Sequence, residues 1–310
     1  MPESDFARAE ASLRDGRIAE AESLYSNVAK GDPEYLQALL RLGTIYYSTS
    51  RPAQAEKCFQ EYSSSKPTAE AFCLLSGAQI NLEKFDEAYE SAKKALSLDP
   101  KYAKAYTAIG MIFTARKDWP DADAAYREAL RLDGKDASTW FLLGRAYSLR
   151  NEFGKAREAL EAAIKLNPQS IRNYENLGLT LDLLDDRTGA EKAFREGVRL
   201  SRNSPLPDAR VQIAYGVFLF KLDRLEESRS QLSEAAKTDP KNSDAHYELA
   251  RVLFRLKQEK AAAAEGEAAL RVGAADYRVH FLLSRVYTAL GDSQKASVHA
   301  AAAARLGEGK

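Results

Sequence analysis

The chain of 310 residues has few cysteines and no excess of either charge. Cys58 and Cys73 are too few for a disulfide framework and lack the partners of a zinc site, so we expect both to be small apolar fillers of helices. Lys plus Arg number 45 and Asp plus Glu number 45, which gives a net charge of zero. The positive charge that a general nucleic-acid binder uses is missing, and we expect no nucleic-acid partner.

Long apolar segments are also missing. No window approaches 18 uninterrupted apolar residues, so we expect no insertion into a membrane. The start, MPESDFARAE, has no basic segment followed by an apolar run, as a secretory signal would. We therefore expect a soluble, cytoplasmic protein. A secreted or periplasmic protein trimmed of its leader would have the same sequence.

Sequence motifs of catalysis and cofactor binding do not occur. The phosphate-binding patterns GxGxxG and GxxxxGK[ST] are absent, as is the GxSxG nucleophile pattern. No Ser or Cys has a base that the sequence supports. We therefore expect that the protein is not an enzyme and needs no cofactor.

What the sequence does contain is a repeat. FDEAYESAKKALSLDPKYAKAYTAIG, residues 85–110, and FGKAREALEAAIKLNPQSIRNYENLG, residues 153–178, carry Phe, Ala, Pro, Tyr and Gly at the same offsets. They lie 68 residues apart, which suggests a period of 34. A small residue flanked by apolar ones recurs at that period. The recurrence predicts one array over residues 1–310, with nine units that start near residues 2, 36, 69, 103, 137, 171, 209, 243 and 277.

Each unit has the pattern of two helices. In the fifth unit, residues three or four apart share one helix face, namely Trp140, Leu143, Gly144 and Tyr147 in the first helix and Ala156, Leu160 and Ala163 in the second. Pro168 ends the second helix because proline has no amide donor. Isolated helices of about 12–15 residues are marginal in water, so each pair must bury its apolar face against the next pair.

These residues resemble the signature of the tetratricopeptide repeat. The fifth unit has it as Trp140-x2-Leu143-Gly144-x2-Tyr147, Ala156-x3-Leu160 and Pro168, and the second unit has Leu42-Gly43-x2-Tyr46, Ala55-x3-Phe59 and Pro67. The resemblance implies an all-α fold, an α-solenoid in which tandem antiparallel helix pairs form a right-handed superhelix with the first helices on its concave side. It also implies a non-catalytic scaffold that holds peptides or other proteins.

The pattern changes at the ends of the array and at one joint. In the last two units Gly266 and Ala300 replace the aromatic residue of the second helix. Four extra residues between the sixth and seventh units, with Pro205 and Pro207, predict a longer loop over residues 201–208. We interpret this loop as a tolerated surface insertion in preference to a hinge.

The three histidines raise the question of a metal site. His246 and His280 stand at equivalent positions of adjacent units, which places them about 8–10 Å apart, too far for one metal. No carboxylate or thiolate lies at ligand spacing. We interpret the histidines, His299 included, as packing residues and expect no metal.

The candidate site is a stripe along the first helices, at unit positions 2, 5, 9 and 12, which share one helix face. This first-helix stripe contains three acids and no base in the first three units, but seven bases and three acids in the last six. Aromatic and Arg side chains supply much of the energy at protein interfaces, and Arg pairs with carboxylates. We predict that an acidic, partly apolar segment binds to stripe residues and the adjoining Arg255, namely Phe141, Arg145, Arg172, Arg210, Phe220, Tyr247, Arg251, Phe254, Arg255, Arg278, Phe281 and Arg285.

Other interpretations stay open. The arginines could pair with nearby acids, since Glu248 precedes Arg251 by three residues, and burial between units would explain Tyr247 and Phe281 equally well. The chain could also be an assembly or regulatory subunit that binds through its convex face or its ends. We expect a monomer, although Val298 on the Ala-rich last helix leaves end-to-end self-association open.

Overall fold

The computed structural model describes residues 3–273 and 276–307. Within these residues the chain forms eighteen α-helices and no strand. The helices are α1 (Asp5–Arg14), α2 (Ile18–Ser26), α3 (Tyr35–Ser48), α4 (Pro52–Ser65), α5 (Ala69–Asn81), α6 (Phe85–Leu98), α7 (Ala103–Arg116), α8 (Trp119–Leu132), α9 (Ala137–Leu149), α10 (Phe153–Leu166), α11 (Ile171–Leu183), α12 (Arg187–Arg202), α13 (Ala209–Lys221), α14 (Leu225–Thr238), α15 (Ser243–Arg255), α16 (Glu259–Val272), α17 (Tyr277–Ala289) and α18 (Ser293–Gly307).

The helices belong to two compact units, Met1–Ala146 and Tyr147–Lys310, with the boundary inside α9. In the first unit α1 packs on α2, α3 on α4, α5 on α6 and α7 on α8. In the second unit α11 packs on α12, α13 on α14, α15 on α16 and α17 on α18. The predicted all-α fold of tandem helix pairs is confirmed. A single array over residues 1–310 stays a prediction.

The predicted repeat starts agree with the starts of the first helices. From the second repeat onward, α3, α5, α7, α9, α11, α13, α15 and α17 begin within one residue of the predicted positions. The first repeat was expected near residue 2, which lies outside the described residues, as do the last residues of the predicted array, 308–310. The 34-residue period therefore locates the hairpins, because each repeat uses about the same number of residues for its two helices and two turns.

The joint between the sixth and seventh repeats differs from the prediction. The loop was expected over residues 201–208, but α12 continues to Arg202 and the loop occupies residues 203–208. Ser201 is fully buried, and its hydroxyl accepts a hydrogen bond from the Asp208 amide at 2.8 Å and donates one to the Asp208 carbonyl at 3.2 Å. These two bonds tie the end of the loop to the last turn of the helix, so Ser201 stays helical.

In three hairpins the two helices meet at a contact between a glycine and a buried ring. A Cβ atom on Gly178 would lie 2.7 Å from Cδ1 of Phe194, and one on Gly110 would lie 2.7 Å from the ring of Tyr126. Phe194 and Tyr126 are almost completely inaccessible to solvent. The glycine therefore allows a close helix crossing that no other residue would allow without moving the ring.

The turn inside each hairpin contains a residue with a left-handed backbone. Glycine supplies it at Gly16 and Gly291, but the other residues are not glycine: Ser50, Glu83, Lys117, Asn151, Asp185, Asp223 and Lys257, with φ between 57° and 61°. The next amide bonds back to the first helix, as from Asp118 to the Phe113 carbonyl at 2.9 Å. The turn thus satisfies helix-terminal carbonyls at the expense of backbone strain.

Ion pairs join neighbouring repeats through a recurrent position. A basic residue just before a second helix contacts a glutamate of the preceding second helix, with N to O distances of 2.6–2.7 Å. The pairs are Arg51 with Glu22 and Lys84 with Glu56 in the first unit, and Arg224 with Glu191 in the second. These contacts add a polar connection at the edge of the apolar interface between repeats.

Replacement of Gly178 by alanine tests the glycine–ring contact. We expect Gly178→Ala to lower the free energy of unfolding by about 1–3 kcal/mol, because the new methyl group overlaps Phe194. Urea unfolding followed by circular dichroism measures the change. The matched control is Gly154→Ala in α10, where nothing lies within 4 Å, and which should stabilise by about 0.5–1 kcal/mol. Equal effects of the two substitutions would contradict this view of the contact.

Replacement of Lys117 by glycine tests the strain in the turns. We expect Lys117→Gly to raise the free energy of unfolding by up to about 1 kcal/mol, because glycine adopts a positive φ without steric cost. Thermal unfolding measures the shift. Lys101→Gly, in the turn before α7, is the control and should not stabilise, since Lys101 is not left-handed. A lower free energy of unfolding in the Lys117→Gly variant would show that the backbone at Lys117 is not strained.

Candidate functional site

Arginine and aromatic side chains of α13, α15 and α17 come together in the second compact unit. These first helices pack on one another directly. We call the set the arginine–aromatic cluster, and it consists of Phe220, Tyr247, Phe254, Arg251, Arg255, Arg278 and Arg285. All of these residues were predicted for the site from the sequence.

Phe220 of α13 receives two guanidinium groups from α15. The central guanidinium carbon lies 4.7 Å from the ring centroid for Arg251 and 5.5 Å for Arg255. These distances are typical of cation–π contacts, in which the electron-rich ring face attracts the cation. Both guanidinium groups are therefore held near the ring of Phe220.

The same arrangement recurs one repeat later. Arg278 of α17 lies 5.1 Å from the centroid of the Tyr247 ring, and Arg285 of α17 lies 5.4 Å from that of Phe254. The first helices α15 and α17 thus each place arginines over aromatic rings of the first helix before them. The cluster is a repeating structure and not one isolated contact.

Three of the four arginines also have carboxylate partners. Arg251 contacts Glu248 at 2.5 Å and Arg255 contacts Asp223 at 2.7 Å. Arg278 contacts Asp276 and Asp244, at 2.6 and 3.5 Å. The alternative interpretation, in which nearby acids pair with the arginines, therefore holds for these three.

Arg285 differs from the other three. It is exposed, and among the described residues no carboxylate lies within 4.0 Å of its guanidinium group. Its one aromatic contact leaves most of the N–H groups facing solvent. Arg285 is thus the cation of the cluster that is best placed to receive an external carboxylate.

Burial changes the ionisation of two groups beside the arginines. The side chain of Glu248 is only 14% exposed, and this burial raises the pKa of its carboxyl, although Arg251 acts in the opposite direction. Burial likewise raises the pKa of Tyr247. Charges interact more strongly where water is excluded, so Arg251 and Glu248 depend on each other more than a surface pair would.

The other predicted residues lie outside the cluster. Phe281 of α17 is 56% exposed, so burial between repeats does not account for it. Arg210 is exposed and pairs with Asp208, and this contact lowers the pKa of the Asp208 carboxyl. Arg172 is exposed at the start of α11. In the first compact unit Phe141 is buried, and the exposed Arg145 lies 5.8 Å from its ring centroid.

Three exposed leucines of the second unit were not predicted. Leu149 and Leu183 are 60% and 59% exposed, and Leu179 is 41% exposed. Lys221 of α13 contacts Asp182 of α11 at 2.6 Å. Because Asp182 precedes Leu183 and Lys221 follows Phe220, this contact brings the end of α11 close to the end of α13. Leu179 occupies position 9 of its repeat and should have been included in the first-helix stripe. Leu149 and Leu183 lie one position beyond the stripe.

A separate open pocket of about 1090 Å³ lies between α10, α11 and α12. Tyr174, Leu177 and Leu181 contribute its apolar part. Its charged lining mixes signs, with Arg157, Arg187, Lys192, Arg195 and Arg199 beside Glu161, Asp186, Glu191 and Glu196. The pocket gives no preference for a ligand of one charge.

The described part of the chain holds no cluster of three or more His, Cys, Asp or Glu side chains that could bind a metal ion. Burial raises the pKa of the thiols of Cys58 and Cys73 to about 11, so both are protonated at neutral pH. None of the helices within residues 3–273 and 276–307 is long and apolar enough to cross a membrane.

Comparison with known families and structures agrees with the repeat pattern. The model described as the cilia and flagella-associated protein 70 C-terminal domain matches residues 2–212, and a tetratricopeptide-repeat model matches residues 219–278. No curated protein matches the sequence. The resemblance inferred from the repeat residues is confirmed.

Several solved structures are similar in fold. Yeast Tom70 has a TM-score of 0.68 at 15% identity, over 95% of this chain and 63% of that chain. The APC/C hetero-tetramer Cut9–Hcn1 gives 0.65 at 17%, over 91% and 55%. PilF of Pseudomonas aeruginosa gives 0.53 at 21%, over 78% and 93%. The chain spans less than two thirds of the first two, and at these identities the likeness concerns the fold.

Alanine substitutions distinguish Arg251, which pairs with a largely buried acid, from Arg285, which is exposed. We expect Arg251→Ala to lower the free energy of unfolding by about 1–3 kcal/mol, because Glu248 is left buried without its partner. This difference in the free energy of unfolding should become smaller as the pH falls towards the ordinary Glu pKa of about 4.3, since a protonated Glu248 needs no counter-charge. Arg285→Ala should change stability by less than about 0.5 kcal/mol. Urea unfolding at several pH values measures both, and an equal loss in the two variants would contradict the assignment.

Proposed function

The chain belongs to the tetratricopeptide-repeat family, and we propose that it is a non-enzymatic scaffold that binds an acidic, partly apolar segment of another protein. The segment lies against the first helices of the Tyr147–Lys310 unit. The observation that carries this proposal is the arginine–aromatic cluster, in which guanidinium groups of successive first helices are stacked on rings and remain accessible from one side.

Charge complementarity favours carboxylates as the groups that the cluster binds. Arg285 has no described acid partner, so a carboxylate of the segment gains a charge-assisted hydrogen bond there without displacing another. Arg255 and Arg278 are exposed and can share their N–H groups between their own acids and the segment. Because the ring stacks already restrict these side chains, little rotamer entropy is lost on binding.

The exposed leucines favour an apolar part at one end of the same segment. Leu149, Leu179 and Leu183 lie on α9 and α11, and the Asp182–Lys221 contact connects α11 to α13 beside Phe220. An apolar side chain that covers such leucines gains about 25 cal/mol for each Å² removed from water. A segment with leucine-like residues at one end and acids at the other therefore suits both parts of the surface.

A second candidate function is assembly into a larger complex through a surface other than the first-helix stripe. The pocket between α10, α11 and α12 is lined mostly by residues of the second helices α10 and α12, and Val298 of α18 is exposed. A subunit that docks there would not use Arg285. This difference lets one set of variants decide between the two functions.

A labelled peptide tests the proposal. The probe is a fluorescein-labelled peptide of about twelve residues, with leucines at one end and alternating glutamates at the other, and its twin has Gln in place of every Glu. We expect Arg285→Glu to weaken binding of the acidic peptide about tenfold, because a reversed charge repels the carboxylates. Fluorescence anisotropy measures the affinity, and added salt should weaken it further.

The control variant is Arg271→Glu, an exposed arginine on the second helix α16. It carries the same change of charge away from the cluster and should alter the affinity less than about twofold. Circular dichroism checks that both variants keep their helices. Equal weakening by the two variants, or equal binding of the Glu and Gln peptides, would reject the proposed site.

A further inference from the structure

The helix α18 buries one polar side chain in its contact with the rest of the last hairpin. Of its residues, Ser293–Gly307, only His299 is buried, while Val298 is 61% exposed. The helix packs on α17, its partner in the hairpin, and Ala296 packs on the apolar core beside it. The surroundings of the His299 imidazole are therefore one of the contacts that dock α18.

A second imidazole faces His299 from α17. Nδ1 of His280 and Nδ1 of His299 lie 2.9 Å apart, and Nε2 of His299 lies 3.3 Å from Oε1 of Glu267 on α16. The Tyr287 hydroxyl donates to the same carboxylate oxygen at 3.1 Å, and its ring stacks on His299 with centroids 5.5 Å apart. The two histidines thus form the polar centre of the last hairpin.

The positions of the protons follow from these contacts. Between two neutral rings one Nδ1 donates its proton and the other accepts it, so the donating ring carries no proton at Nε2 and the accepting ring carries one there. A first added proton binds at the free Nε2 of the donating ring and leaves the contact intact. A second one can only bind at the accepting Nδ1, where it would face the Nδ1 proton of the other ring.

We propose that the His280–His299 pair is a pH-sensitive latch that holds α18 against α17 while the pair carries at most one positive charge, and releases it when both imidazoles are protonated. Two N–H groups cannot occupy a 2.9 Å donor–acceptor contact, and two adjacent buried charges repel each other. Release of the latch would loosen the last hairpin. Terminal hairpins of repeat proteins can open in this way because each repeat contacts only its neighbours.

Charged groups from the neighbouring elements face the pair. Glu267 of α16 and Asp276 before α17 favour protonation of His280, whereas Arg305 of α18 opposes it. Lys295 of α18 lies over the Tyr287 ring. Elsewhere on α15 and α16, Glu265 contacts His246, Asp244 contacts Arg278 and Glu248 contacts Arg251.

Burial, followed by the charge of His299, lowers the pKa of His280 below its ordinary value of about 6.5. The unfolded chain therefore binds more protons than the folded chain in this range. Stability is complete above about pH 6.5 and decreases as the pH falls from there towards the folded pKa. The latch accordingly opens on mild acidification.

The latch regulates the peptide-binding surface, a consequence that rests on the proposed function. Arg278, Phe281 and Arg285 lie on α17 within five residues of His280. Arg278 and Arg285 hold α17 against the Tyr247 and Phe254 rings of α15. If the last hairpin loosens, these residues lose their fixed positions, and the affinity for an acidic segment falls.

Hydrogen exchange of the full chain without peptide tests the latch. We expect the amides of residues 293–307 to lose protection about tenfold between pH 7.5 and pH 5.5, after correction for intrinsic rates. His280→Tyr should keep its protection at both pH values, because tyrosine does not protonate in this range. Tyrosine stands at the equivalent position in two other repeats, as Tyr106 and Tyr174, so the repeat accommodates it.

His246→Tyr is the matched control, since His246 occupies the same position one repeat earlier but contacts Glu265 at 2.6 Å and no second imidazole. In the His246→Tyr variant the amides of α18 should lose protection at pH 5.5, as they do in the unmodified chain. NMR titration of the unmodified chain gives a second measurement. His280 should titrate below pH 6.5. Titration of His280 at or above pH 6.5, or the same loss of protection in His280→Tyr, would overturn the latch.

Peptide affinity at the two pH values tests the regulation separately. The acidic peptide should bind about tenfold more weakly at pH 5.5 than at pH 7.5, and His280→Tyr should remove this difference. The glutamates of the probe remain largely ionised at pH 5.5, so their own titration does not cause the change. If the exchange results hold but the peptide does not bind at pH 7.5, the proposed function fails and the latch stands. If binding at pH 7.5 is normal and independent of pH, the regulation fails.

Discussion

The close crossing of the two helices in each hairpin is the constraint on which the rest of the fold depends. At Gly43, Gly110 and Gly178 a buried ring of the second helix fills the space at the crossing, and at Gly216 the Leu232 side chain fills it. Two repeats add a hydrogen bond at the same place, from the Ser76 hydroxyl to the Ala88 carbonyl at 2.8 Å and from the Ser228 hydroxyl to the Gly216 carbonyl at 2.7 Å. Steric fit and hydrogen bonding thus fix the same geometry, which leaves the outer faces of both helices free to pack on neighbouring repeats.

The arginine–aromatic cluster follows from this regularity. Because successive first helices pack side by side, an arginine on one of them reaches a ring on the helix before it, and the contact recurs as long as the sequence supplies both residues. The acids beside Arg251, Arg255 and Arg278 satisfy these cations in the absence of a partner. The side chains of the cluster are therefore held by contacts within the chain, and Arg285 is the member without a carboxylate partner among the described residues.

The period of the sequence predicted the helix positions well, because apolar spacing and repeat length both report where helices pack. The first-helix stripe also contained every member of the arginine–aromatic cluster except Arg255, which was predicted as adjoining it. The period did not predict the left-handed residues such as Lys117, since no glycine marks them and the requirement comes from closure of the hairpin. Nor did it pair His280 with His299, which lie 19 residues apart on different helices of one hairpin. Contacts that depend on side-chain direction across a hairpin leave no periodic signal.

The ion pairs between successive second helices have a consequence for how such a chain can change its length. Each pair takes its base from one repeat and its acid from the repeat before, as in Arg51 with Glu22 and Lys84 with Glu56. The second repeat holds both parts, since Arg51 pairs with the repeat before it and Glu56 with the repeat after it. A duplicate of this whole repeat would bring its own base and its own acid and leave no charge without a partner, whereas a duplicate of a fraction of it would not.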